Sequence, residues 1–114
     1  MKPSAPAHAA FDAIADALGD EVVRKQMMGC PILMRAGGKM VVCLDADVLA
    51  FKLGRDTEEF SAAMKTPGAA VWSPKESHRS FSDWVGIPVA QSDTWLDWTR
   101  TAIDLHDAKQ FGGR

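Results

Sequence analysis

The chain reads as an α+β domain: an antiparallel β-meander covered by an N-terminal and a C-terminal helix, with a short helix between strands. Three observations predict this. Segments of β-branched and alternating apolar residues cluster between Val22 and Leu53. Gly37-Gly38 separates two of them, and a glycine pair suits a two-residue hairpin turn because both central positions adopt positive φ at no steric cost. Helical apolar spacing is confined to segments apart from that cluster, which argues against repeated βαβ units.

Residues 1–6, with Pro3 and Pro6, are expected to form a loose leader, and 7–110 a single domain. Phe11, Ile14 and Leu18 recur at helical spacing over 7–18, with Asp12 and Asp16 directed away and Gly19 as the stop. Strands are predicted over 22–28, 32–36, 39–44 and 48–53, the last two separated by the polar turn Asp45-Ala46-Asp47. Asp56 three residues before Glu59 resembles a capping box and opens a helix over 57–65. Pro67-Gly68 is a turn, 69–72 a short strand, 73–77 a polar loop and 78–87 a strand ended by Pro88. Ser92-Asp93 caps the last helix, over 92–109. There Trp95, Trp98, Ala102 and Leu105 form one apolar stripe, and Arg100 can pair with Asp97 or Asp104.

Composition fits an ordinary globular domain. Of 114 residues, 46% are hydrophobic and 25% charged, and the formal charge of −2 gives no global nucleic-acid footprint. No apolar run reaches the roughly 18–20 residues of a membrane span, and two cysteines are too few for a disulfide scaffold. The expected setting is cytoplasmic, without membrane association.

Catalytic and cofactor signatures are missing from the sequence. There is no nucleophile elbow, no phosphate-binding glycine loop and no metal-ligand spacing among His8, His78 and His106, so no cofactor is expected. His106, on the apolar edge of the last helix, reads as a packed or snorkelling residue. Cys43 sits within an alternating strand and reads as a buried structural thiol. Cys30, in Met28-Gly29-Cys30-Pro31, reads as an exposed turn thiol and the one to test for reactivity. Charge is unevenly spread: Arg24, Lys25, Arg35 and Lys39 fall in a stretch with no acidic residue, beside an acid-rich one over 10–21. They are the candidate partner surface. Strand alternation lets only one of Arg24 and Lys25 join Arg35 and Lys39 on one side. Three phosphate contacts would give a salt slope of only about −2.7, so tight direct DNA binding is not expected.

Several short motifs recur in order: Met27-Met28-Gly29 with Pro31, Gly37-Gly38-Lys39-Met40, Leu49-Ala50-Phe51-Lys52-Leu53-Gly54, Trp84-Val85-Gly86-Ile87-Pro88, and the closing helix with Trp95, Leu96 and Ala102. Together they resemble the TfoX/Sxy N-terminal domain family over about residues 10–107. The loop from Ser73 to Phe81 departs from the glycine-richer turn of that family. Its founding members are competence regulators that act with the cyclic-AMP receptor protein and carry a further helical domain. This chain is similar to the stand-alone single-domain relatives, so the competence role does not carry over.

Two expectations follow. The first is a non-enzymatic module acting through contacts with an unknown protein partner, in transcriptional regulation. The second is a small-molecule binder or minor enzyme with a pocket near Cys30 and the His78-Arg79 loop. Exposed sheet edges and the wide apolar arc of the last helix also allow a homodimer.

Overall fold

The computed structural model describes residues 3–27, 30–35, 39–72 and 83–111, the last three through their backbone. Its elements run α1 (Ala5–Leu18), β1 (Val23–Met27), β2 (Cys30–Met34), β3 (Met40–Asp45), β4 (Val48–Lys52), α2 (Glu58–Met64), β5 (Ala70–Val71), β6 (Trp84–Pro88) and α3 (Trp95–Phe111). The six strands form one antiparallel sheet in the order β1-β2-β3-β4-β6-β5. The first four are the meander expected from the sequence. Gly37-Gly38, Ser73 to Phe81 and the His78-Arg79 pair lie outside the described residues.

Side chains alternate between two apolar faces, as the period of a strand requires. One face carries Leu33, Val42, Leu44, Leu49, Phe51, Val85 and Ile87, packed against Phe11, Ile14 and Leu18 of α1 and Trp95, Ala102 and Ile103 of α3. The other carries Ile32, Cys43, Ala50, Trp72 and Trp84, with Met27, Cys30, Met34 and Met40 around them. Val41 breaks the alternation. Leu33 pairs with Val42 but Met34 pairs with Met40, so Val41 is the extra residue of a bulge and joins Val42 on the helix-covered face.

Trp95 is wholly buried, and its indole N–H donates to the Ile87 carbonyl at 3.1 Å, tying α3 to β6. Trp72 and Trp84 meet on the other face with ring centroids 5.5 Å apart, and the Trp72 indole N–H donates to Asp45 Oδ2 at 3.0 Å. Gly86 lets β6 pass beneath this pair. A Cβ there would lie 2.7 Å from Val48 Cγ1 and 3.4 Å from Trp72 Cβ.

Several boundaries differ from those expected, each for a local reason. Helix α1 starts at Ala5, shortening the leader, because the Ser4 side chain accepts from the Ala7 N–H and Pro6 sits where a helical N–H is unneeded. Cys30 and Pro31 belong to β2, not to a turn. Pro31 pairs only with Gln26 of β1, since pairing with β3 begins at Ile32. Thr57, not Asp56, caps α2, its Oγ1 accepting from the Phe60 N–H at 3.0 Å. Residues 89–94 form a 3-10 segment, so α3 begins at Trp95 rather than at Ser92-Asp93. Arg100 reaches Glu21 at 3.9 Å instead of an acid on its own helix. Among the described residues no helix is long and apolar enough to cross a membrane.

Candidate functional site

Both arginines of the basic stretch fold into intramolecular ion pairs. Arg24 stands opposite Leu33 and Lys25 opposite Ile32, which sends the two to opposite faces. Arg24 reaches the helix side, where it lies 5.2 Å from the centre of the Phe11 ring and binds Asp12 at 2.6 Å. Arg35, just past β2, donates to both Asp107 oxygens, from Nε at 3.1 Å and from Nη2 at 2.8 Å. Its Nη1 donates to the Glu21 carbonyl. Two of the four candidate cations thus have carboxylate partners within the chain. Lys39 is exposed, and its carbonyl accepts from the Arg35 N–H at 3.3 Å.

A cavity of about 210 Å³ opens where the end of β4 meets the C-terminal half of α3. Val41, Leu53 and Leu105 supply apolar walls, and Lys52, Gly54, Thr57, Asp83 and His106 complete the lining. The turn that shapes one side is fixed by its own hydrogen bonds. The Leu53 and Gly54 N–H groups both donate to the Asp83 carbonyl, at 2.9 and 3.0 Å, and the Arg55 N–H donates to Asp83 Oδ1 at 3.0 Å. Gly54 holds φ at +86°, a left-handed value that a side chain would strain, so the sharp exit from β4 needs glycine. The Thr57 hydroxyl lies 2.9 Å from the Leu53 carbonyl and 2.8 Å from that of Gly54, sharing one proton between them. Backbone geometry thereby places Thr57 and Asp83 beside the apolar wall.

On the opposite wall, His106 is largely buried, with 13% of its side chain exposed, and its Nδ1 lies 3.3 Å from Asp107 Oδ1. Partial burial works to raise the Asp107 carboxyl, but hydrogen bonds from His106 and Arg35 and the Arg35 charge outweigh it and hold the group below its ordinary value. Arg35, Asp107 and His106 therefore form a chain from β2 to the cavity. In the tautomer with its proton on Nδ1, the ring donates to Asp107 and Nε2 is the acceptor.

Cys30, expected beside a pocket, does not line this one. It lies half-buried on the other sheet face with Cys43. The sequence presents His106 as a packed residue; its link to Arg35 spans 71 positions, and no local pattern announces it. Among the described residues, no group of three or more His, Cys, Asp or Glu side chains could hold a metal ion. No protein-family model, curated protein or solved structure matches the chain, so the reading of the site rests on its own geometry.

Proposed function

We propose that this chain is a small-molecule-binding module and that its ligand occupies the cavity between α3 and the 53–57 turn. The observation that carries the proposal is the lining itself: three apolar side chains backing a small set of polar groups, including a histidine oriented by a carboxylate. Such a site suits a compact amphiphilic molecule, with its apolar body against Val41, Leu53 and Leu105 and a hydrogen-bonding head toward Asp83 and His106. A protein-contact module would need a basic face, and the internal pairing of Arg24 and Arg35 leaves that face less charge to offer. The motif order resembling the TfoX/Sxy N-terminal domain supports a regulatory setting for the binding, with a protein partner downstream.

Amide-resolved NMR with a fragment library tests this. Binders are expected to shift Gly54, Thr57 and residues 105–106, and Leu105→Trp, which fills the cavity, should abolish binding while the remaining spectrum stays folded. Binders that map elsewhere, or that persist in the filled variant, would overturn the proposal.

A further inference from the structure

The sheet face away from α1 and α3 holds both cysteines. Cys43 stands opposite Ile32 in the β2–β3 ladder, so Cys30, two residues before Ile32, lies on the same face one diagonal step away. Cys30 is among the groups close enough to act on the Cys43 thiol. Their exposures differ in a useful way: Cys43 is 1% exposed, whereas Cys30 is half-buried. The β2–β3 pairing starts at Ile32, so Cys30 lies beyond that ladder. It can close on β3 without breaking any β2–β3 pair.

We propose that Cys30 and Cys43 are a reversible dithiol–disulfide site, independent of the cavity, that reacts with low-molecular-weight disulfides of the glutathione type. The difference in exposure sets the order of events. The Cys30 thiolate attacks one sulfur of glutathione disulfide, forming a mixed disulfide and expelling one glutathione thiolate. Cys43 then loses its proton to solvent and attacks the Cys30 sulfur, and the second glutathione leaves as thiolate. In sum, two protein thiols are oxidised to one disulfide while one glutathione disulfide is reduced to two glutathiones. Burial, followed by the nearby Cys30 and Asp45, pushes the Cys43 thiol above its ordinary value. Ring closure needs the Cys43 thiolate and therefore accelerates as pH rises.

The test treats the folded chain with glutathione disulfide, alkylates what remains and weighs the products. The expected product has lost two hydrogens, resists alkylation, carries no disulfide between chains, keeps the native circular dichroism spectrum and returns to two free thiols with dithiothreitol. Cys43→Ala should instead accumulate one glutathione on Cys30, and Cys30→Ala should stay unmodified; Cys43→Val serves as the second variant if the alanine form does not fold. Wild-type protein that keeps glutathione on Cys30, remains doubly alkylatable, or links into dimers through these cysteines would overturn the proposal.

Discussion

Arg35 shows how much one side chain can organise. Its planar guanidinium meets Asp107 with two parallel bonds and the Glu21 carbonyl with a third, joining β2 to α3 and to the turn after α1. A lysine could not reproduce this, since the ammonium is a point charge without the fork. The Asp107 carboxyl is held below its ordinary value, so its contribution to stability is present above about pH 4 and lost as pH falls through the folded-state value. Asp107→Asn should therefore be less stable than the wild type at pH 7, by no more than about 1 kcal/mol because the pair is partly exposed. The gap should begin to shrink as pH drops below about 4 and close once pH has fallen through the folded-state value, where the native carboxyl is itself neutral. Urea unfolding at several pH values checks this, and a gap that does not change with pH would mean that Asp107 acts without its charge.

At the scale of the element, α3 is the principal cover of the sheet. Trp95, Thr99, Ala102 and Ile103 are all buried along one side of it. Removing the largest of them leaves a void that neighbours cannot fill and deletes the indole bond to the Ile87 carbonyl, so Trp95→Ala should cost about 3–5 kcal/mol in denaturant unfolding. A loss below about 1 kcal/mol would show that the helix seats elsewhere. The elements were legible where the signal is local. Phe11, Ile14 and Leu18 mark α1 by spacing alone, and Leu49 and Phe51 mark the inner face of β4. Their ends were less so, because Thr57 and Asp56 are both competent caps and only the geometry of the Leu53-Gly54 exit selects Thr57. The bulge at Val41 has no sequence mark, since two adjacent valines fit a regular strand equally well.

For the whole molecule, the cavity depends on contacts that no local pattern encodes. Val41, Asp83 and His106 come from three distant parts of the chain, and they converge because β6 enters the sheet beside β4 and α3 then crosses back. Likewise Arg24 and Arg35 looked like a surface feature because their acidic partners, Asp12 and Asp107, lie on helices outside the basic stretch. The same layering has an optical consequence. The chain contains no tyrosine, and its four tryptophans are divided evenly, Trp72 and Trp84 on one face of the sheet and Trp95 and Trp98 on the other. Intrinsic fluorescence is therefore two reporters, one per face. Replacing either pair with phenylalanine leaves emission from the opposite side alone. If the two layers melt together, the fluorescence midpoint of each variant should coincide with its own far-ultraviolet circular dichroism midpoint. A Trp72–Trp84 signal that changes ahead of the dichroism would mean that the second face loosens while the helix-covered core is still intact.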